Sequence, residues 1–219
     1  MKLNQFSELI NVLPFLNQSF DVKRDNWKTE GQKELVNNIF GDKNEITLNR
    51  YDLINSSWNL REFIIKTLMW GYPTKGRGNN INTLLIEENF KNLETTLKDY
   101  VEKEITLERF IEDTERIQGL GLSTMSKFAY FLKTRINGKT AIILDQQIID
   151  TIKKQKFDEL NNLKNINYSN SLKNYFKYLD LMHNLSNELK VQIDQLEYFI
   201  FIFGKGLSEL EGEMCYDYK

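Results

Sequence analysis

Two glycines separated by a single leucine, Gly119-Leu120-Gly121, sit between two amphipathic runs and limit what residues 106–135 can become. Glycine reaches backbone conformations closed to other residues, so the triplet predicts a sharp reversal and a close approach of backbone to a partner. Before it, Thr106 suits an N-cap for a helix with Leu107, Phe110, Ile111 and Thr114 facing inward. After it, a second helix is expected to begin between Ser123 and Ser126 and to run to about Arg135. The unpaired amides and the dipole at such a helix start favour an anion such as a phosphate. Asn137-Gly138 then reads as a tight turn, and residues 140–144 as a short apolar run leading to Asp145. A further helix is expected over residues 145–155, with Asp145 near its start.

Helical spacing recurs along the rest of the chain. Residues 3–13 place apolar side chains at positions 3, 6, 9, 10 and 13, and residues 30–40 carry Leu35, Val36, Ile39 and Phe40 ahead of Gly41. Residues 59–70 form a broad apolar stripe through Leu60, Phe63, Ile64, Thr67, Leu68 and Trp70. Residues 47–54 read as a short helix, 82–103 as a helix broken near Asn89, and 171–185 and 191–203 as two closing helices. Residues 20–28 read as irregular, 157–169 as an Asn-rich surface connection, and 209 onward as an acidic, frayed end. With strand-like sequence confined to 140–144, the expectation is an all-α, two-lobed bundle. It forms one domain over residues 1–219, with a cleft between the lobes.

Charge narrows the function classes. The chain carries a net charge of −2, yet residues 122–156 hold seven basic side chains against two acids. That leaves +5 locally and −7 elsewhere, a distribution suited to neutralising phosphates around the glycine turn, although a solvated lysine-rich helix face has the same composition. One cysteine, Cys215, excludes an internal disulfide and a four-cysteine iron–sulfur loop, and one histidine, His183, excludes a multi-histidine metal site. No metal or cofactor is expected. The start of the chain carries no signal-like apolar run, so a cytoplasmic protein with no membrane association is the default.

Residues 71–80 are rich in turn formers, and Trp70 and Tyr72 lie beside Lys75 and Arg77. Cations for phosphate and flat rings for bases are what a nucleic-acid contact uses, though a glycine-rich loop beside a core tryptophan is also ordinary. Taken together in this order, Met69-Trp70-Gly71-Tyr72 with Lys75-Gly76-Arg77-Gly78, Gly119-Leu120-Gly121, Ile143-Leu144-Asp145 and the late apolar segment at Leu196–Phe201 resemble the helix-hairpin-helix DNA glycosylases. The likeness is to bacterial 8-oxoguanine glycosylase-like (OGG-fold) proteins in particular, and it spans residues 58–204.

The resemblance implies that Gly119, Gly121 and Ser123, with Lys75 and Arg77, contact DNA. It also implies that Asp145 stabilises charge developing on a sugar as its base departs, whereas spacing alone makes Asp145 an ordinary N-cap. Two residues compete as nucleophile. Ser123 stands two positions after the second glycine and would imply a water-using enzyme. Lys127, 18 residues before Asp145, would imply a Schiff-base glycosylase with strand-cleaving lyase activity. Lys127 is favoured if about four extra residues extend the hairpin turn, with Ser126 capping the second helix. Trp70, Tyr72 and Tyr198, with Tyr130 and Phe199, are candidates to stack on a flipped base, although aromatics at helical spacing are usually core. The implied partner is double-stranded DNA with a flipped, damaged or modified base. Similarity to accessory proteins of antiphage islands adds a defence role with operon partners. The competing reading is a non-catalytic DNA-binding module that kept the hairpin.

Overall fold

A computed structural model describes residues 1–55, 59–76 and 78–207. The fold is predominantly helical, and its centre is a pair of helices buried on nearly every side. The first of the pair, α4 (Leu60–Gly71), starts at Asn59, whose side chain accepts from the amides of Arg61 and Glu62 at 3.1 and 3.4 Å. These satisfy two of the amides that every helix start leaves orphaned. Phe63, Ile64, Ile65, Leu68, Met69 and Trp70 are all buried. The second, α8 (Leu122–Phe131), buries every residue except Ser123. The two meet through aromatic pairs, Phe63 with Phe128 and, edge-on, Trp70 with Phe131 at 5.2 Å between centroids.

Around this pair lie α1 (Ser7–Val12), α2 (Lys33–Phe40), α3 (Arg50–Asn55), α5 (Asn80–Leu85) and α6 (Glu87–Lys98). Then follow α7 (Leu107–Arg116), α9 (Gln146–Lys153), α10 (Tyr175–Leu189) and α11 (Ile193–Phe203). Thr106 caps α7 as expected, accepting from the Arg109 amide at 3.2 Å. The helical run after residue 80 breaks at Ile86, three residues before Asn89, where the backbone turns extended.

The all-α expectation needs amending, because two small sheets are present. Strands β1 (Ser19–Lys23) and β2 (Glu45–Asn49) pair antiparallel, with Phe20 opposite Leu48 and Val22 opposite Ile46. The alternation that builds them is brief, and each strand alone buries one side chain fully, Val22 or Leu48. Residues 20–23 are therefore strand rather than irregular, and the short helix read at 47–54 is the end of β2 followed by α3. A three-stranded sheet joins β3 (Glu104–Ile105), β4 (Arg135–Ile136) and β5 (Lys139–Thr140), parallel between β3 and β4 and antiparallel between β4 and β5. Asn137-Gly138 closes the second pairing with φ of 45° and 81°, the left-handed pair a two-residue hairpin requires.

Residues 141–144 run extended without joining a sheet, and all four are buried. The Ala141 amide donates to the Thr134 carbonyl at 2.9 Å, and side chains pair three further backbone groups. Tyr175 and Tyr178 donate from α10 to the carbonyls of Ile142 and Ile143 at 2.7 and 2.9 Å, and the Leu144 amide donates to Ser126 Oγ at 3.2 Å. Burying unpaired backbone polar groups is costly, so these bonds fix the run's path. The run delivers Asp145 to the start of α9.

Candidate active site

The turn between α7 and α8 spans residues 117–121. Gly119 has φ +86° and a side chain there would meet the Asn80 carbonyl at 2.7 Å, so this position demands glycine. Gly121 differs from the sequence-based expectation: its φ is −135°, and it serves as N-cap through its carbonyl, which accepts from Thr124 and Met125. Helix α8 therefore starts at Leu122, and the hairpin is not extended. Ser126 is not its cap; it lies in the second turn, fully buried, holding Leu144.

This start removes the extended turn on which the preference for Lys127 over Ser123 rested, and it sets the two candidates side by side. They stand one turn apart on the same helix face, and Lys127 Nζ donates to Ser123 Oγ at 2.9 Å and to the Ser123 carbonyl at 3.1 Å. Lys127 is 4 % exposed. Its ammonium end lies 4.0 Å from Asp145 Oδ2. Asp145 caps α9 with its other oxygen: Oδ1 accepts from the amides of Gln147 and Ile148 at 3.0 and 3.1 Å. The cap that spacing predicted is present, with Oδ1 in the cap and Oδ2 toward the lysine.

The end of α4 packs against this lysine. A side chain on Gly71 would meet Lys127 Cδ at 2.9 Å and Cε at 3.0 Å, so glycine makes room for the lysine stem. Tyr72 stands beside it, its ring 5.4 Å from Nζ and its hydroxyl bonded to Ser123 Oγ at 3.3 Å and Thr124 Oγ1 at 2.8 Å. Tyr72 is therefore part of the lysine's setting. Trp70 is 2 % exposed, with Nε1 donating to the Gln18 carbonyl. Tyr198 is half-buried beside the Arg50 guanidinium, and burial pushes its phenol pKa up. Phe199 is core, packed among Phe6, Phe157 and Phe203. Tyr130 is buried against Phe131.

Lys75 does not line the cavity that holds Lys127 and Asp145. Lys75 donates to the Lys28 carbonyl at 2.6 Å, and its partial burial lowers its pKa from the ordinary value. Arg77 lies outside the described residues. The basic segment is not one open patch. Lys133, Arg135 and Lys139 pair with Glu102, Glu104 and Asp180, and Lys127 is internal, while Lys153 and Lys154 are exposed. Beside the turn runs a groove of about 390 Å³, bordered by Gly119, Gly121, Ser123, Tyr168 and Lys173.

Sequence reading missed a buried ion pair. Arg50, at the start of α3, and Glu197, on α11, lie 2.9 Å apart and are 0 % and 1 % exposed. Arg50 also donates to Gln18 Oε1 at 2.5 Å and Tyr130 OH at 3.3 Å, and its guanidinium lies over the rings of Trp70, Tyr130 and Tyr198. Burial pushes the Glu197 pKa up, and Arg50 only partly opposes it. Burial likewise works against the Arg50 charge, but Glu197 and Tyr130 together more than offset this and hold the guanidinium above its usual value. Lys127, Asp145, Arg50, Glu197, Gln18 and Trp70 line one cavity of about 30 Å³, which Phe20 and Phe201 also border.

Among the described residues no group of three or more His, Cys, Asp or Glu could hold a metal ion, and no helix is long and apolar enough to cross a membrane. No curated protein and no solved structure matches the chain. Residues 14–201, most of the chain, match the family model described as "Putative 8-oxoguanine DNA glycosylase OGG-like protein", and the chain belongs to that family.

Proposed function

We propose that the protein is a DNA glycosylase that excises an 8-oxoguanine-like base through Lys127 and Asp145, with a lyase step following from the lysine adduct. The observation that carries this reading is the convergence of a buried lysine amine and an otherwise capped carboxylate at 4.0 Å, beside the glycine turn. The family membership supports a DNA substrate. The α7–turn–α8 unit would act as a helix-hairpin-helix that seats a DNA phosphate on the amides at the start of α8.

In this mechanism the target nucleotide leaves the stack, because its glycosidic bond is otherwise out of reach. The attacking amine needs its lone pair, so one ammonium proton goes first, and Asp145 Oδ2 is the carboxylate oxygen in range. Lys127 Nζ bonds to C1′ while the C1′–N bond to the base breaks, its electron pair leaving with the base. The proton held by Asp145 goes to the departing base. The restored carboxylate faces the cationic sugar, the electrostatic role such a group serves best in a water-poor site. The C1′–O4′ bond then breaks, with O4′ taking a proton from the adduct nitrogen and the remaining iminium making the 2′ proton acidic. Water takes that proton as the C3′–O bond breaks and the 3′ phosphate leaves.

The test is base release from a duplex carrying 8-oxoguanine by the wild type, Lys127→Ala, Ser123→Ala and Asp145→Asn. Asn caps a helix about as well as Asp, so the last variant keeps α9 and removes only the charge. Loss of release in Lys127→Ala and Asp145→Asn, with Ser123→Ala weakened less, supports the reading. Full release by Asp145→Asn contradicts it. A screen of duplexes with other modified bases would separate a repair role from antiphage defence.

A further inference from the structure

The glycosylase chemistry has no use for Arg50 and Glu197, yet both line the cavity that Lys127 and Asp145 share. Stability is a weak explanation for them. Desolvating each ion costs about several kcal/mol, and well-packed apolar residues often replace such pairs without loss. The hydrogen bonding is also incomplete: Arg50 Nε is buried with no partner within the protein, while Nη1 and Nη2 are engaged by Glu197, Tyr130 and Gln18. A buried donor left unpaired on a charged group is expensive and calls for an explanation. The walls complete the picture. Trp70, Phe20 and Phe201 supply flat apolar faces, and Arg50, Glu197 and Gln18 supply a polar edge.

We propose that Arg50, Glu197 and Gln18 are specificity-determining residues that read the edge of the extruded base. Arg50 donates to a ring carbonyl and Glu197 accepts from the adjacent ring N–H. This assignment rests on the glycosylase reading of the site. A carbonyl beside a ring N–H occurs twice on 8-oxoguanine, at O6/N1–H and at O8/N7–H. Unmodified adenine offers it on neither edge, so it leaves the buried Arg50 Nε without an acceptor and brings Glu197 no ring N–H. A cavity of about 30 Å³ holds roughly one water and is far smaller than a base. The base therefore comes in by displacing the rim, and the half-buried Phe20 and Phe201 are the side chains placed to move.

The discriminating experiment sets two reactions side by side: release of 8-oxoguanine from a duplex, and borohydride trapping on the same duplex with an abasic site, which has no base to read. The variants are Glu197→Gln and Gln18→Ala, with thermal unfolding recorded for each. The expected result is that each variant loses at least about tenfold more rate in release than in trapping, the effect of removing a hydrogen bond to a charged group. Wild-type protein is expected to leave a duplex with adenine at the same position intact. Equal losses in both reactions would make the residues supports of the fold and overturn the proposal, as would unchanged release or adenine excision. Wild-type protein that neither traps nor releases would instead overturn the glycosylase reading itself, so the two failures are distinguishable.

Discussion

At the scale of the residue, Gly71 and Asp145 make sharp tests because each separates chemistry from folding. Gly71 is the last residue of α4 and its backbone conformation suits any residue, so alanine there should favour the helix by up to about 1 kcal/mol. The added carbon would nevertheless meet Lys127 at 2.9 Å. Gly71→Ala is expected to leave the melting temperature near or above wild type while cutting base release at least about tenfold, the cost of misplacing a reacting group. Parallel loss of stability and activity would contradict this. Glu197 predicts a pH effect whose sign follows from its raised pKa. The folded state binds its proton more tightly than the unfolded state, so the associated stability is complete below the ordinary value of 4.5 and is lost as pH rises through the higher folded value. Thermal unfolding across that interval should show wild type falling relative to Glu197→Gln; a matched slope would show that burial does not perturb the group.

At the scale of the element, the run at residues 141–144 belongs to no sheet and no helix, and it is held by one backbone bond, Ala141 to Thr134, and by three side chains. Tyr178→Phe removes the donor to the Ile143 carbonyl and is expected to cost about 1 kcal/mol. Because that carbonyl lies two residues before Asp145, base release should also fall, and chemical denaturation together with a release assay measures both. Unchanged values in both assays would mean that Ser126, Tyr175 and the Ala141–Thr134 backbone bond suffice to fix the run. The elements themselves were legible where local chemistry defines them. Thr106 as a cap, Asn137-Gly138 as a turn and the stripe on α4 are decided by neighbours in sequence. The β1–β2 sheet was not, because its strands are short and each needs the other to bury a face. The start of α8 was misplaced because Gly121 caps it through backbone alone, with no side-chain signal to read.

At the scale of the whole molecule, the site is assembled from segments far apart in the chain. Lys127 and Asp145 were candidates through the family resemblance, Asp145 is the cap that spacing alone expected, and Lys127 was reached from a helix start that the structure moves to Leu122. Arg50 could not be picked out, since its partner Glu197 is 147 residues away and a lone arginine in a polar stretch looks solvated. The basic segment misled for the same reason: its charges meet acids on β3, on α10 and just ahead of β3. The central claim remains that these distant pieces converge on one reactive amine. The most direct measurement is borohydride trapping of wild-type protein on an abasic duplex, followed by mass-spectrometric mapping of the modified residue. The expected result is a covalent adduct on Lys127 that Lys127→Ala abolishes. An adduct on another residue, or base release that persists in Lys127→Ala without any adduct, would contradict it.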